Sequence, residues 1–246
     1  MRRLFLALAT ATCLTSAAYA DSVNVAVAAN FTDAANEIAA AFAEATNHEA
    51  LLSFGSTGQL YTQITQSAPF QIFLSADDKR PALSVEEGFG VEGTVFTYAI
   101  GQLALYSAEA GKVTGPETLE GGDFQQIAIA NPETAPYGTA AVETMQSLGV
   151  YEALQPKIVQ GQNIGQTFQF VETGNAEIGF VALGQISQSE AGSRWIVPQE
   201  RYEAIRQDAV LLKTGEGNAA AVAFVEFLKG EAASAIIEKY GYALDR

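Results

Sequence analysis

Four clusters of hydroxyl, amide and glycine residues stand where a predicted strand gives way to a predicted helix. The richest is Ser53–Leu60, in which Gly55 and Gly58 flank Ser56 and Thr57. The apolar residues before it predict the end of a buried strand, and those after it recur at helical spacing, which places this cluster at a helix N-terminus. The first backbone N–H groups of a helix have no intrahelical acceptor, and the helix dipole favours negative charge there. These residues predict a cradle for an anion, with simple helix capping by Ser56 or Thr57 as the alternative.

The second cluster follows the first predicted strand. Ser22–Ala28 alternates apolar and polar residues in the manner of a strand, and Asn30 comes directly after it. Asparagine is a favoured N-cap residue, and Asp33 stands three positions further on, in the spacing of a capping box. We therefore expect Asn30 to begin a helix whose free N–H groups lie at the same edge of the sheet as the cradle.

The other two clusters occupy the second half of the chain. The turn Asn131–Gly138 contains Tyr137, and the turn Gln162–Gln166 contains Ile164; each opens a predicted helix, and no Lys or Arg occurs in any of the four turns. Such turns suit a small, fully ionised oxyanion, because N–H and O–H dipoles can surround it without counter-charges. Each charge-assisted hydrogen bond contributes about 1.5–3 kcal/mol. For Tyr137, a buried structural tyrosine is the alternative.

Strands alternate with helices of about ten residues along the chain, an order that predicts an α/β fold with parallel sheets. Ligands in such folds bind beyond the carboxyl ends of the strands. The character of the chain changes after Thr94–Ile100, so we predict two Rossmann-like lobes with a ligand cleft between them. Lobe 1 is predicted to contain residues 21–98 and 206–246, and lobe 2 residues 99–205.

The first 20 residues have the character of a cleavable signal peptide. Arg2 and Arg3 precede an apolar run, and the small residues Ala18–Ala20 precede Asp21. We predict a soluble periplasmic chain that contains residues 21–246. It has 11 Lys and Arg against 28 Asp and Glu, a net charge of −17, and no cysteine. This charge argues against nucleic acid as a partner, and it requires that any bound anion be held by neutral donors.

An exported hydrolase is the alternative from another class of protein, with Ser56, Thr57 or Ser75 as the nucleophile. Such an enzyme needs a general base, and the single histidine, His48, lies on a polar segment where we expect a surface residue. One histidine and no mature cysteine also argue against a soft-metal site. We therefore predict that the protein is not an enzyme and holds no cofactor.

Several segments fit one pattern together: residues 28–34, 53–60, 68–70 with 73–77, 131–138, 179–182 and 227–241. In these segments the chain resembles the periplasmic molybdate-binding proteins of bacterial ABC importers. That family belongs to the type II group of two-lobed solute-binding proteins, and the resemblance covers nearly all of the mature chain. It implies capture of molybdate, and of tungstate, between the lobes and delivery to a membrane ABC permease by a monomeric periplasmic protein.

The resemblance also implies which residues hold the ligand. It places the contacts on Asn30, on Ser56 and Thr57 in the cradle, and on the backbone amides of Tyr137 and Ile164. The metal would be bound as its oxyanion through these residues, with no direct metal ligands from the protein. Molybdate and tungstate are nearly isosteric, and the sequence does not distinguish them.

Three positions differ from the commoner pattern of the family. Asn30 and Thr57 stand where serine is usual, and Ala182 stands where some members place a tyrosine hydroxyl on the ligand. A branch with asparagine at the first position and tyrosine near position 137 matches this chain better. We expect sulfate to be rejected by size and monohydrogen phosphate because the donors offer no acceptor to its proton. A receptor for sulfate or phosphate is the alternative within the class.

Overall fold

The structure, a computed structural model, describes residues 21–245. The predicted signal peptide, residues 1–20, lies outside the described residues. Two five-stranded sheets form the centres of two lobes, and helices pack against both. This arrangement confirms the predicted two-lobed α/β architecture.

Ten strands and ten α-helices occur between residues 21 and 245. The strands are β1 Ser22–Ala28, β2 Glu49–Gly55, β3 Ile72–Leu74, β4 Phe96–Gly101, β5 Leu103–Ser107, β6 Ile127–Ala130, β7 Ile158–Gly161, β8 Ile178–Ala182, β9 Ser193–Ile196 and β10 Ile205–Leu211. The helices are α1 Thr32–Thr46, α2 Thr57–Thr65, α3 Lys79–Glu86, α4 Glu117–Gly121, α5 Pro136–Ser147, α6 Tyr151–Leu154, α7 Ile164–Glu172, α8 Leu183–Ile186, α9 Ala219–Lys229 and α10 Glu231–Lys239.

The two sheets have the same strand arrangement, β2-β1-β3-β10-β4 in the first lobe and β7-β6-β8-β5-β9 in the second. The expectation of purely parallel sheets was wrong, because β10 runs antiparallel to β3 and β4, and β5 runs antiparallel to β8 and β9. These are the strands by which the chain enters each sheet after crossing from the other lobe. A strand that arrives without a helical crossover from a neighbour is not constrained to run parallel to it.

The chain crosses between the lobes immediately before β5 and again before β10. The chain leaves the first sheet at Gly101, the last residue of β4, and enters the second at Leu103. It returns through a 3₁₀ turn at Gln199–Arg201 and joins the first sheet at Ile205. The predicted lobe boundaries lie within β4 and at the start of β10, and they stay a prediction.

Strand β2 was expected to be buried, and this expectation was wrong. In the described part of the chain β2 is an edge strand that pairs with β1 alone, and Leu51 is 42% exposed. The hydrophobic core of this lobe instead lies on β1 and α1, where Val25, Ile38 and Phe42 are fully buried. The carboxyl end of β2, at Gly55, is nevertheless buried, and it leads directly into the cradle.

The start of α1 also differs from the prediction. Residues Ala29–Phe31 form a short 3₁₀ turn, so α1 begins at Thr32, and its N-cap residue, Phe31, makes no side-chain cap. The predicted capping box of Asn30 and Asp33 is therefore wrong, because tertiary partners occupy the Asn30 side chain. None of the helices between residues 21 and 245 has the length and apolarity needed to cross a membrane.

Candidate functional site

A small cavity lies between the lobes, where the four predicted turns converge. Its lining includes the last residues of β1 and β2 and the first residues of α2, α5 and α7. The lining residues are Ala28, Ala29, Asn30, Gly55, Ser56, Thr57, Ala76, Ala135, Pro136, Tyr137 and Ile164. All five residues predicted to contact a ligand are in this set. The structure therefore brings them together, although their role in binding stays a prediction.

The cavity is narrow, and most of its lining residues are buried. The space open to the centre of a water-sized sphere is about 10 Å³, close to the smallest volume that holds one water molecule. Asn30, Tyr137 and Ile164 are each less than 5% exposed. In the described chain no lining residue is charged. A ligand here must be small, and neutral dipoles must hold it.

Ser56 provides the clearest sign of a missing ligand. It occupies the N-cap position of α2, yet its side chain makes no capping bond, so the alternative of simple capping by Ser56 was wrong. Its hydroxyl is buried, and no group within residues 21–245 bonds to it. A buried hydroxyl without a partner costs about 1–3 kcal/mol. This cost would be offset by an acceptor in the cavity.

Thr57 presents a second hydroxyl to the cavity. It is 1% exposed, and its Oγ1 accepts a hydrogen bond from the backbone N–H of Ala76 at 3.0 Å. The hydroxyl hydrogen is then free to donate, because a hydroxyl group can accept and donate at the same time. The bond to Ala76 also fixes the position of the oxygen.

The side-chain amide nitrogen of Asn30 is held by two buried partners. Its Nδ2 donates to Gln207 Oε1 at 2.8 Å and to Tyr242 Oη at 3.3 Å. Tyr242 Oη donates in turn to the Asn30 carbonyl at 2.6 Å. Both side-chain amide hydrogens of Asn30 are thereby used. Because Asn30 lies in the first turn of a 3₁₀ helix, its backbone N–H is the donor that it can offer to a ligand.

Tyr137 is the second residue of α5, so its backbone N–H also lacks an intrahelical acceptor. Its phenol oxygen accepts a hydrogen bond from Gln207 Nε2 at 3.3 Å and is not assigned to the ligand. The absence of a side chain at Gly101 makes room for it, since a Cβ there would stand 2.1 Å from Tyr137 Oη. Burial raises the pKa of the Tyr137 phenol well above its usual value, so the group stays neutral.

Hydrogen bonds from two side chains, Asn163 and Gln185, fix the turn at Ile164. Asn163 caps α7, with its Oδ1 accepting from the N–H of Gln166 at 3.0 Å. Gln185 donates to the Ile164 carbonyl at 3.2 Å and accepts from the N–H of Ala182 at 2.9 Å. Ala182 has no hydroxyl to offer, and Gln185 links its strand end to the Ile164 turn instead.

The hydrolase alternative finds no support in this geometry. His48 precedes β2, whereas Ser56 follows its far end, about 20 Å away for a seven-residue strand. The His48 ring accepts from the backbone N–H of Asp21 at 3.2 Å. Ser75 Oγ donates to the Asp77 carboxylate at 3.0 Å. Between residues 21 and 245 no group of three His, Cys, Asp or Glu side chains is arranged to hold a metal ion.

The lobes touch on both sides of the cavity. Arg80 Nη2 of the first lobe donates to the Glu133 carbonyl of the second at 3.4 Å, and Gln188 Nε2 of the second donates to the Lys239 carbonyl of the first at 2.7 Å. Two α/β lobes that enclose a small, uncharged, donor-lined cavity between helix N-termini define a two-lobed solute-binding protein.

The comparisons with known proteins agree with this class. The sequence profile of the family described as bacterial extracellular solute-binding protein matches residues 23–243. The chain therefore belongs to that family. It is 54% identical to the molybdate-binding protein ModA of Rhodobacter capsulatus over 228 residues, which cover 93% of this chain and 90% of the relative. It is 49% identical to the ModA protein of Azotobacter vinelandii over 235 residues, covering 94% and 93%.

A solved structure gives the same result for the fold. The periplasmic molybdate-binding protein of Azotobacter vinelandii superposes with a TM-score of 0.88 at 40% sequence identity, covering 91% of this chain and all of that structure. The likeness extends over both lobes.

Sequence reasoning missed three polar residues behind the cavity: Gln207, Tyr98 and Tyr242. Gln207 is fully buried in β10, and the two tyrosines are less than 5% exposed. The sequence offered no clear signal for Gln207, since it stands between the charged residues Arg206 and Asp208 at the start of β10. Its partners could not have been identified from the sequence, because Asn30 lies 177 positions away.

Proposed function

We propose that this protein captures molybdate, and tungstate with it, in the cavity between its lobes and delivers the anion to a membrane ABC permease. One observation carries the proposal. Helix N-termini from both lobes surround a cavity whose described lining is uncharged, and the Ser56 hydroxyl in it has no partner. The relatives named as molybdate-binding proteins support the choice of anion.

The proposed donors are neutral and come from both lobes. Ser56 and Thr57 contribute hydroxyl groups, and Asn30, Tyr137 and Ile164 contribute backbone N–H groups. Five charge-assisted hydrogen bonds at about 1.5–3 kcal/mol each can offset the desolvation of a small dianion. The anion is bound intact, so its metal needs no ligand from the protein.

The proposed mechanism is hinge closure. Lobe 1, residues 21–98 and 206–246, and lobe 2, residues 99–205, move about the crossings near residues 98–101 and 200–209. The ligand stabilises the closed form because donors from both lobes reach it only when the lobes meet. The closed form then presents one combined surface to the permease.

Selectivity follows from the size and the hydrogen-bonding capacity of the site. Sulfate is smaller than molybdate and cannot satisfy all the donors at once. Monohydrogen phosphate carries a proton that needs an acceptor, and a lining of donors offers none. A sulfate or phosphate receptor is the second candidate function, and direct titration separates it from the first.

The protein is exported to the periplasm by cleavage of the signal peptide after Ala20, and it acts there as a monomer. It binds neither nucleic acid nor a cofactor, and it is not an enzyme.

Calorimetric titration of residues 21–246 with molybdate, tungstate, sulfate and phosphate tests the function. We expect one-to-one binding of the first two anions and weak or no binding of the others. Thr57→Val should reduce molybdate affinity by about tenfold to a hundredfold, because it removes one hydrogen bond to a charged ligand. Thr57→Ser keeps the hydroxyl and serves as the matched control. Heat with sulfate or phosphate alone would replace the proposed anion, and no heat with any of the four would refute an oxyanion receptor.

A further inference from the structure

Gln207 lies directly behind the candidate site without lining it. It belongs to β10 and is fully buried. Its Oε1 accepts from Asn30 Nδ2 at 2.8 Å and lies 3.2 Å from the hydroxyl of Tyr98. Its Nε2 donates to Tyr137 Oη at 3.3 Å. One side chain thus contacts a cavity residue from each lobe.

We infer that Gln207 is a positioning residue that couples Asn30 of the first lobe to Tyr137 of the second when the lobes close. The inference rests on the proposed function, since it assigns a role in ligand retention to a residue outside the ligand's contact shell.

The first part of this role concerns Asn30. Gln207 and Tyr242 together take both hydrogens of the Asn30 side-chain amide. This fixes the side-chain amide and leaves the backbone N–H of Asn30 as the donor available to a ligand. Without Gln207 the amide would lose its shorter hydrogen bond and could rotate, so the geometry of this donor would be less well defined.

The second role of Gln207 is in closure of the two lobes. The Gln207–Tyr137 bond joins β10 of the first sheet to α5 of the second lobe, and it can form only where these elements meet. Both residues are at most 1% exposed, so water does not compete for the bond. Gly101, at the crossing between the lobes, leaves the space in which the Tyr137 hydroxyl lies. The bond therefore stabilises the closed form next to the ligand.

Tyr137→Phe isolates this bond, because it removes the hydroxyl and keeps the backbone N–H assigned to the ligand. We expect molybdate to dissociate about threefold to tenfold faster from this variant, as loss of one neutral hydrogen bond implies. Release of radiolabelled molybdate into excess unlabelled molybdate measures the rate. Gln207→Met should have an effect of similar size, and the double variant should be no faster than the more affected single variant.

Tyr106→Phe is the matched control. Tyr106 is also a buried tyrosine of the second lobe, but its hydroxyl donates to Glu172 of the same lobe at 2.8 Å. Its loss should leave the dissociation rate unchanged. A purely structural role for Gln207 and Tyr137 predicts instead that their variants lower the stability of the ligand-free protein in urea, with dissociation unaltered.

These experiments distinguish a failure of the Gln207–Tyr137 coupling from a failure of the proposed function. If the native protein retains molybdate and Tyr137→Phe releases it at the native rate, the coupling is refuted and the proposed function stands. Additive effects of the two substitutions would likewise refute the coupling, because independent residues add. If the native protein binds no oxyanion, both proposals fail.

Discussion

The backbone N–H of Gly58, in the first turn of α2, donates to the carbonyl of Thr134 in the other lobe at 2.8 Å. This bond joins the lobes beside Ser56 and Thr57, so the cradle and the opposite turn are held at a fixed separation. It also uses one of the N–H groups at the start of α2, which leaves the two hydroxyls as the main donors of this turn. Glycine favours this close contact, because a Cβ at position 58 would stand 3.1 Å from Thr134 Cα, and its neighbours would have to shift by a few tenths of an ångström.

Gly58→Ala should therefore impair closure. The added methyl group meets the backbone of the opposite lobe, and the lobes must separate slightly or lose the Gly58–Thr134 bond. We expect molybdate affinity to fall by about tenfold, the equivalent of one hydrogen bond. Small-angle scattering should show less compaction on adding ligand. Gly121→Ala is the control, because a Cβ there meets no atom of the described chain within 4 Å. Unchanged affinity in Gly58→Ala would contradict a tight approach of the lobes.

Ser56→Ala should separate binding from stability. The Ser56 hydroxyl is buried and has no partner in the described protein, so its removal should leave the unfolding free energy of the ligand-free protein unchanged or raise it by up to about 1–3 kcal/mol. Molybdate affinity should fall by about tenfold to a hundredfold. Calorimetry and urea unfolding measure the two quantities.

Ser107→Ala is the matched control for this substitution and should show the reverse pattern. Ser107 is 1% exposed, and its hydroxyl donates to the Glu177 carbonyl at 2.6 Å within the second lobe. Its loss should lower stability and leave affinity unchanged. If Ser56→Ala instead lowers stability and keeps native affinity, its hydroxyl serves the fold and does not bind the ligand.

The sequence predicted the elements that local patterns determine. Strand Ser22–Ala28 was predicted with its observed bounds, because alternation of buried and exposed positions is a local property. The cradle at Ser56 and Thr57 was predicted because glycine and hydroxyl residues before a helical repeat depend on short spacings alone. The convergence of all four turns followed from the rule that parallel strands end at one edge of a sheet.

The predictions that were wrong concern features that depend on contacts between residues far apart in the sequence. The exposure of Leu51 follows from the place of β2 at a sheet edge, which strand order determines and local sequence does not. The predicted capping role of Asn30 was wrong. An asparagine before a helix is normally a cap, but the partners of this side chain, Gln207 and Tyr242, lie far along the chain. Strand β10 begins at Ile205, and the polar residues at its start obscure the extended pattern of the sequence.

Three buried tyrosines, one lining the cavity and two behind it, should make the protein sensitive to alkali. Burial raises the pKa values of Tyr98, Tyr137 and Tyr242 above the usual value. Above about pH 10 the unfolded chain loses these protons while the folded chain keeps them, so the folded state loses stability as the pH rises. Each tyrosine contributes a slope of about 1.4 kcal/mol per pH unit.

Urea unfolding of residues 21–246 from neutral pH to about pH 11 measures this slope, and we expect a plateau at neutral pH followed by a decline above about pH 10. Tyr242→Phe should make the decline shallower by the contribution of one tyrosine. Stability that stays constant to the alkaline limit would mean that water reaches these phenols in the folded state. No lining residue of the cavity between residues 21 and 245 titrates near neutrality, so molybdate affinity should be constant over that range.

Raising the ionic strength should not weaken the binding of molybdate. Surface ion pairs weaken as ionic strength rises, because the Debye length shortens to about 10 Å at 0.1 M. In the described chain no charged side chain lines the cavity, so the bound anion has no ion pair to lose. Residues 21–246, with 11 basic and 28 acidic residues, instead repel an approaching dianion. Screening of this repulsion should speed association and leave dissociation unchanged.

We therefore expect the dissociation constant for molybdate to stay constant or fall slightly as sodium chloride is raised from about 0.02 M to about 0.5 M. Calorimetry gives the constant, and release of labelled molybdate gives the dissociation rate. This sign is the reverse of that for an anion held by Lys or Arg, whose affinity falls steeply with salt. A steep loss of affinity in salt would place the anion on exposed cationic side chains and outside the uncharged cavity. Chloride itself could compete for the site, so a repeat with a larger monovalent anion distinguishes competition from screening.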